Sequence, residues 1–477
     1  MKKLSYILFL LPFLSCNGFL DEVDQDKLVP EKNDHFSALM LQEFNATYPI
    51  FRSIDHMTDN VVEDPSALTS RKFDLKTTYT WQREIELDEY GNRINNINYS
   101  WEKMYEDIAI ANYVIELVDE AIGTQEENDY TKGEAYFIRG LSYFNLLNLY
   151  GQPFNPGTAI TDLGVPLRDD IGVEVTYQRN TVAEGYAHIE SDLLLAKELI
   201  AQSGVSKSIW HPTVAAVDLL LSRVMLYQQK WDEAVYYASE VIDQGVLSKV
   251  SANSPFVTAD NQEILYSYYT TSPIFNLYSS GTDLTSVAFF VNKELINSYD
   301  DKDLRKSAFF IAVDDGTGKY NYRTKKYQRD LYTSLGFANL RVAEAYLNRA
   351  EAYANLGQIQ NSVSDIQTLH RTRYTDISEV VYPTSADELI SFLFAERRKE
   401  LCFEDHHRWF DLRRMETQPE ISHVFTLIDD NNEKLGTETF TLLPNDYNYT
   451  LPIPLKERQN NPLIRNNERY EKIPEIN

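Results

Sequence analysis

The sequence predicts a mainly α-helical protein in which tetratricopeptide-like helical hairpins, an α-α superhelix, are interrupted by long irregular loops and a few short strands. Three observations support this class. Apolar residues recur at threes and fours along several stretches, as they do on the buried face of a helix. Two helical pairs share one pattern of small and aromatic residues. Between them lie long segments rich in Ser, Thr, Asn, Tyr and Asp with little helical periodicity.

Helices are predicted wherever the three-and-four spacing persists. The stretch Tyr99–Ile122 shows it most clearly, since Trp101, Met104, Tyr105 and Ile108 fall on one face. Gly151 and Pro153 end a second helix, because neither residue favours continuation. The predicted helices are Phe36–Ile54, Tyr99–Ile122, Tyr130–Tyr150, Val182–Ala201, Pro212–Gln228 and Trp231–Gln244.

Two helical pairs, Pro212–Gln244 and Asn339–Arg373, fit a tetratricopeptide repeat. Small residues such as Ala234 and Ala350 let neighbouring helices approach closely, so that each hairpin buries its face on the next. Repeat-like helices are therefore expected within residues 36–54, 99–150, 182–244 and 339–414. An all-α bundle without repeats is the alternative.

Irregular segments 58–98 and 247–338 separate these helices and are the expected ligand-facing loops. Within the first, Phe73–Trp81 has the texture of a strand, and Tyr90–Asn92 contains a glycine turn. No low-complexity linker divides the chain, so residues 36–477 are expected to form one composite domain.

The segment Phe394–Arg414 carries the densest charge in the chain. Helical spacing places Arg397, Glu404 and Arg408 on an apolar stripe, where charges must be paired because unpaired burial is costly. Local pairs are expected between Glu404 and Arg408, Arg397 and Glu400, and Glu396 and Lys399. A paired structural network is favoured over an active site.

The same segment contains two neighbouring histidines and one cysteine. His406 and His407 point about 100° apart on a helix, whereas zinc needs three or four converging ligands. Cys402 is expected to behave as a small hydrophobic residue without a disulfide partner. No metal site and no cofactor are predicted.

Composition limits the classes of partner. The formal net charge of −27 disfavours nucleic acid and anionic lipid, which would be repelled. The sequence has no G-x-S-x-G, H-E-x-x-H or G-x-x-x-x-G-K motif. The 32 tyrosines combine a flat apolar ring with a hydroxyl, which suits neutral polar ligands.

The N-terminus is predicted to be a targeting segment. Lys2 and Lys3 precede the apolar run Tyr6–Leu14, which is too short to cross a membrane. Cys16 follows a small residue, as at a bacterial lipoprotein processing site. Residues 1–15 are then the signal peptide, and residues 16–35 are a lipidated N-terminus and polar tether. An ordinary secretory signal with an incidental cysteine is the alternative.

Several motifs in order along the chain resemble those of the SusD/RagB family of Bacteroidetes outer-membrane lipoproteins. The C-terminal motif is carried by Glu396, Arg397, Glu400, Glu404, Arg408, Trp409, Asp411 and Arg414. Further matches are Cys16 with Phe19–Asp21, Trp101 with Tyr105, Leu451–Pro454 and Asn461–Leu463. The family's closing Gln-Asn-x-Gly-Tyr is matched only loosely, by Arg465–Tyr470.

The resemblance implies a non-enzymatic nutrient-binding lipoprotein, exposed on the outer membrane and anchored there by its N-terminal lipid. It would capture an oligosaccharide and deliver it to a SusC-like TonB-dependent transporter, with the C-terminal motif as scaffold. A peptide-binding receptor is the first alternative. A secreted glycoside hydrolase, which needs two carboxylates across a cleft, is the second.

A sugar site needs aromatic faces and hydrogen-bonding side chains. Trp101, Trp231 and Trp409 occupy helical or motif positions and are expected in the core. The candidate ligand-binding residues lie in the irregular segments and are Tyr79, Trp81, Arg83, Tyr269, Phe275, Asn276 and Tyr278.

Overall fold

The computed structural model describes residues 30–40, 53–68, 70–94, 100–172, 176–267, 288–314, 318–327, 338–429, 431 and 433–477. The α-helices in these ranges are α1 (Asn33–Met40), α2 (Ser70–Asp74), α3 (Lys76–Tyr79), α4 (Ser100–Leu117), α5 (Gln125–Tyr150), α6 (Val182–Ser203), α7 (Val214–Tyr227), α8 (Trp231–Gln244), α9 (Lys293–Asn297), α10 (Leu304–Phe309), α11 (Val342–Asn355), α12 (Ile359–His370), α13 (Ala386–Leu401), α14 (His407–Arg414) and α15 (Leu455–Asn460). The predicted mainly α-helical class is confirmed.

The long helices pack in chain order. Helix α5 lies against α4 and α6, α7 against α8, and α11 against α8, α12 and α13. Thr124 and Thr181 begin α5 and α6 with reciprocal capping boxes. Gly140 allows the close contact between α5 and α6, since a Cβ atom there would lie 3.1 Å from Leu193 Cδ2. Small residues therefore permit helices to approach, as the sequence pattern indicated.

Two apolar clusters lie between these helices. The larger one runs from α1 through α4–α8 to the C-terminal strands, with Leu146, Leu221 and Phe410 among its buried members. A smaller cluster fills the space between α11, α12 and α13 and includes Leu347 and Leu393. The helical scaffold thus buries its apolar faces on successive neighbours.

Short antiparallel strands join distant parts of the chain. They are β1 (Val61–Glu63), β2 (Ile264–Ser267), β3 (Phe289–Val291), β4 (Phe310–Asp314), β5 (Tyr320–Thr324), β6 (Asn339–Arg341), β7 (Ile421–Ile428), β8 (Lys434–Leu442) and β9 (Glu475–Ile476). Strand β1 pairs with β3, β2 with β6, β4 with β5, and β8 with both β7 and β9. Val61 lies opposite Val291, and Ile264 lies opposite Arg341.

Of the predicted helix Phe36–Ile54, residues 36–40 lie in α1, and residues 41–52 lie outside the described ranges. Two predicted local structures differ from the observed ones. Phe73–Trp81 is not a strand: α2 ends at Asp74, and α3 follows up to Tyr79. The charged stripe is two helices, because the chain leaves α13 at Cys402 and enters α14 at His407, with Phe403 and Asp405 at positive φ.

The turn at Gly91, with φ of 81°, is confirmed. Cys402 is a buried free cysteine, as expected. Within the described part of the chain, no helix combines the length and apolarity that a membrane span requires.

Candidate functional site

The charged segment 394–414 lies in the interior as a paired network. Glu400 accepts from Arg341 Nη1 at 2.6 Å, Arg305 Nη1 at 2.9 Å and Arg373 Nη2 at 2.8 Å. Glu263 accepts from Arg341 and Arg373 at 2.7 and 3.0 Å. Burial alone would raise the pKa of Glu400, but the three guanidinium groups outweigh it and hold that pKa well below its usual value. The charges of this segment are thus buried and paired, and its structural role remains a prediction.

Most partners of the motif are remote in sequence. Glu404 binds Arg341 and Lys326, and the predicted pair with Arg408 is wrong. Arg408 instead donates to Asp59, at 2.7 and 2.8 Å. The prediction from helical spacing is wrong here because the two residues do not share a helix: Glu404 lies in the break between α13 and α14, whereas Arg408 lies in α14.

Arg397 pairs with Asp411 at 3.1 Å, so the predicted pair with Glu400 is also wrong. The predicted pair between Glu396 and Lys399 is observed at 2.6 Å. The remaining motif residues complete the scaffold, since Asp411 and Glu351 both bind Arg414, and Trp409 is fully buried.

The histidines of this segment are buried as well. Burial, followed by Arg223 and Arg397 nearby, lowers the pKa of His407 well below its usual value. Among the described residues, no group of three or more His, Cys, Asp or Glu side chains is arranged to hold a metal ion.

Tyr79 and Trp81, two of the candidate ligand residues, lie in the core. Trp81 is 0% exposed and donates its indole N–H to Met57 O at 2.8 Å. The His423 ring of β7 is stacked between them, 4.1 Å from Tyr79 and 4.2 Å from Trp81. Their assignment as ligand contacts is therefore corrected: contacts from a strand more than 300 residues away bury both rings.

Arg83 is exposed, and its carbonyl oxygen accepts from Arg469 Nε at 3.2 Å. The other four candidates, Tyr269, Phe275, Asn276 and Tyr278, lie outside the described residues. Trp101 is buried as predicted, and Trp231 packs partly buried against the core.

A cavity of about 480 Å³ opens elsewhere, between the start of α4, the loop before α6, and α15. We call it the α4 cavity. Its lining combines aromatic, charged and amide side chains from four stretches of the chain: Glu86, Arg93, Trp101, Glu102, Tyr105, Glu106, Ala109, Pro166, Arg168, Thr176, Tyr177, Pro454, Lys456, Glu457, Asn460 and Asn461.

Aromatic rings form one part of the α4 cavity. Trp101 and Tyr105 stand one turn apart on α4, with ring centroids 5.0 Å apart, and the Tyr105 hydroxyl is fixed by a 2.8 Å hydrogen bond to Pro166 O. Tyr177 is half-buried and donates to Asp170 at 2.6 Å, while the Arg168 guanidinium lies 4.9 Å from its ring. The rings are thus held in place by their own polar contacts.

Polar groups line the rest of the α4 cavity. Lys456 pairs with Glu102 at 2.6 Å and joins α15 to α4. Glu86 is buried and accepts the backbone N–H of Leu455 at 3.1 Å; its burial raises the pKa of its carboxyl. Asn461 donates to Tyr177 O at 2.9 Å. Flat rings beside amide, carboxylate and guanidinium groups can bind the C–H faces and hydroxyls of a polar, uncharged ligand.

The sequence does not reveal this site, because spacing places Trp101 and Tyr105 on the apolar face of a helix and the stretch 454–461 shows only a family motif. No local signal marks the site. Glu102 and Glu106 follow the two aromatic residues directly, and carboxylates at the border of an apolar stripe occur on any amphipathic helix.

Two family models match the chain. One, described as "Starch-binding associating with outer membrane", matches residues 18–226, and the SusD family model matches residues 298–470. The chain belongs to the SusD/RagB family. Its α4 cavity draws on the first matched region for α4 and on the second for α15, so both halves of the SusD/RagB pattern contribute to the site.

Similar proteins agree with this family. "SusD-like protein P2" of Formosa agariphila is 23% identical over 98% of this chain and 99% of its own length. A solved SusD superfamily protein from Bacteroides thetaiotaomicron superposes with a TM-score of 0.71 at 21% identity, covering 92% of this chain and 100% of that one. A SusD-like carbohydrate binding protein from Bacteroides vulgatus gives 0.68 at 21% identity, covering 91% and 97%. The SusD fold is therefore shared along nearly the whole chain.

Proposed function

We propose that this SusD/RagB protein binds an oligosaccharide in the α4 cavity and does not cleave it. The observation that carries the proposal is the cavity itself, where aromatic rings and hydrogen-bonding side chains meet in about 480 Å³. The family description as starch-binding supports a glycan as the ligand class.

In the proposed complex, Tyr177 and the edge of Trp101 contact the C–H faces of sugar rings. Arg168, Asn461 and the carboxylate of Glu86 then hydrogen-bond to hydroxyl groups. Neutral sugar hydroxyls both donate and accept, so they can use guanidinium, amide and carboxylate groups at once. The cavity volume suits a few sugar rings, since small-ligand pockets span about 300–1,000 Å³.

The proposed location is the outer membrane, with the protein lipidated at Cys16 and exposed at the cell surface. The family's described association with the outer membrane supports this location. The proposed partner is a SusC-like TonB-dependent transporter that receives the oligosaccharide. Nucleic acid is not a proposed partner, because the net charge of −27 would repel it.

Binding is tested by titrating the purified full chain with a panel of defined oligosaccharides and peptides in a calorimeter. Tyr177→Ala is expected to weaken the binding of the best glycan about tenfold or more, because a ring and its hydroxyl are lost from the cavity. Tyr236→Ala is the matched control, since Tyr236 is an exposed tyrosine on α8 outside the cavity. Equal affinity in wild type and Tyr177→Ala would place the site elsewhere.

The two rival functions give different results in the same experiment. A peptide that binds while every glycan fails would favour a peptide receptor. Glu86, Glu102, Glu106 and Glu457 place four carboxylates in the cavity, so hydrolysis is tested directly. Chromatography of the bound glycan after incubation is expected to show no shorter product, and the appearance of one would refute the binding-only function.

Lipidation is tested in cells by Cys16→Ser. The variant is expected to lose incorporation of labelled fatty acid and to leave the outer-membrane fraction, because the acyl chains supply the proposed anchorage. Cys402→Ser is the control, as that thiol is buried. Unchanged labelling and fractionation in Cys16→Ser would contradict the anchor.

A further inference from the structure

Glu86 is the most deeply buried carboxylate of the α4 cavity. It is 6% exposed, whereas the other three carboxylates of the lining, those of Glu102, Glu106 and Glu457, are half-buried. Its Oε2 atom accepts the backbone N–H of Leu455 at 3.1 Å. Among the described residues no group donates to its Oε1 atom, which is nevertheless accessible to solvent. A nearly buried carboxylate therefore keeps one oxygen accessible at a cavity of ligand size.

The neighbouring carboxylates of α4 have their own cations. Glu102 pairs with Lys456 at 2.6 Å, which occupies the one ammonium group of the lining. Glu106 pairs with Lys103. Within the described part of the chain, Glu86 has no cation at ion-pair distance. Its charge is thus neither paired nor fully solvated.

The nearby arginines do not replace the missing partner of Glu86. Arg458 pairs with Glu84 at 2.7 Å, and Arg93 is exposed, so water solvates its charge. Burial raises the pKa of Glu86, and the Leu455 N–H, Arg93 and Arg458 lower it only in part. The pKa stays above its usual value, so the surroundings supply too little positive charge for an ionised carboxyl.

Arg168, the remaining cation of the lining, is engaged on the loop before α6. Its Nη2 donates to Gly172 O at 2.8 Å, and its guanidinium group lies 4.9 Å from the Tyr177 ring. Asp169 and Asp170 follow it directly, so it does not make that wall positive. The lining as a whole has four carboxylates against three cations, and the chain carries a net charge of −27. The field at the cavity therefore favours a positively charged ligand.

An ammonium group matches Oε1 of Glu86 better than a hydroxyl group does. Both can donate to a carboxylate oxygen, but only the ammonium group neutralises a charge that burial keeps from water. In a glycan, a free amino sugar supplies that group. This inference rests on the proposed function, in which the rings of Tyr177 and Trp101 contact the sugar faces. We propose that the α4 cavity selects glycans with a free amino sugar, whose ammonium group binds the carboxylate of Glu86.

The test compares the trisaccharides of chitosan, chitin and cellulose, which share one linkage and differ at C2. That carbon carries an ammonium, an acetamide and a hydroxyl group, respectively. Each is titrated into the purified full chain in a calorimeter, at low ionic strength and at a pH that keeps the sugar amine protonated. The chitosan trisaccharide is expected to bind at least about tenfold more tightly than the other two, because hydrogen bonds between charged groups are the stronger ones.

Variants assign the preference to Glu86. Glu86→Gln keeps the shape of the side chain and is expected to remove the preference for the amine. Glu89→Gln is the matched control, because Glu89 lies on the same stretch outside the cavity lining and pairs with Lys76 at 2.7 Å; the preference should persist there. A preference retained in folded Glu86→Gln would overturn the proposal. Circular dichroism checks folding, and if Glu86→Gln does not fold, unchanged affinity of Tyr177→Ala for the chitosan trisaccharide would overturn it instead.

This inference and the proposed function fail on different results. If the chitosan trisaccharide does not bind saturably, or binds no more tightly than the other two, the amino-sugar inference is overturned, whichever other glycan binds. If no glycan of the wider panel binds, the proposed function is overturned as well.

Discussion

Glu404→Ala is the substitution that most directly tests the buried ion network. Glu404 accepts from Arg341 Nε at 2.9 Å and Nη2 at 2.8 Å, and from Lys326 Nζ at 2.5 Å. All three side chains are fully buried. Alanine would remove the one carboxylate that, among the described residues, is bonded to both cations.

The expected loss of stability follows from what the two cations retain. Arg341 keeps Glu263 and Glu400, at 2.7 and 2.6 Å. Within the described part of the chain, Lys326 keeps two backbone carbonyl oxygens as hydrogen-bond acceptors, those of Glu400 and Cys402. A buried ammonium without a carboxylate partner costs about 3–5 kcal/mol, so the free energy of unfolding should fall by that amount.

The assay is equilibrium urea unfolding of wild type and variant, followed by tryptophan fluorescence and circular dichroism. Glu379→Ala is the matched control, because the Glu379 side chain is 79% exposed and pairs with Lys302 at 2.7 Å. Exposed pairs contribute about 0–1 kcal/mol. A Glu404→Ala loss no larger than that of the control would refute the buried-network interpretation.

The pH dependence provides a second readout for Glu404. Burial raises its pKa, but Arg341 and Lys326 outweigh burial and lower it below the usual 4.5. A carboxyl with a depressed folded-state pKa stabilises fully above its unfolded value and loses that contribution as the pH falls through the folded value. The difference between wild type and Glu404→Ala should therefore shrink below about pH 4.5.

Three further perturbations have defined outcomes. Trp81→Ala should lower the free energy of unfolding by about 3–5 kcal/mol in urea melts, because the indole ring is fully buried. A change in that free energy near zero would contradict the buried position of the ring. Gly245→Ala should cost about 1–3 kcal/mol, because a Cβ atom would lie 2.6 Å from Val342 Cγ2, and an unchanged melting temperature would contradict this. Burial lowers the pKa of His188, but hydrogen bonds to carboxylates including Asp169 raise it to about 9. The protonated imidazole therefore contributes fully to the stability of the folded protein below about pH 6.5, and this contribution is lost as the pH rises toward 9. His188→Asn should flatten that alkaline limb of a melting-temperature profile, and an unaltered limb would exclude His188 as its source.

The long helices could be predicted because their signal is local. For α8 the predicted and observed bounds coincide at Trp231 and Gln244, where an amphipathic run ends at a glycine. The strand prediction for residues 73–81 is wrong because the structure there depends on a contact that is not local. Its aromatic residues read as a strand, but Tyr79 and Trp81 enclose His423 from β7, and that tertiary contact accompanies a short helix and a turn. No window of local sequence contains His423.

The candidate site was missed for a related reason. The spacing on α4 correctly predicts that Trp101 is buried, but it cannot show that Trp101 also lines a cavity completed by Lys456 and Asn461. Those side chains come from more than 350 residues along the chain. The buried network behaved likewise: a charged stripe predicted pairing, yet Arg408 binds Asp59, which lies 349 residues away. The sequence pattern predicts that the charges are paired, but of the three predicted pairs it identifies one correctly, Glu396 with Lys399.

The walls of the α4 cavity are joined by side-chain hydrogen bonds and an ion pair between distant segments. Arg179, two residues beyond Tyr177, donates to the carbonyls of Gly164 and Arg465 and so ties the loop before α6 to the C-terminal segment. The Lys456–Glu102 pair ties α15 to α4. Each tie connects the region of the first family match with the region of the second. A ligand that enters walls already held together loses less free energy to ordering them, so the contacts with Tyr177 and its neighbours can contribute to affinity.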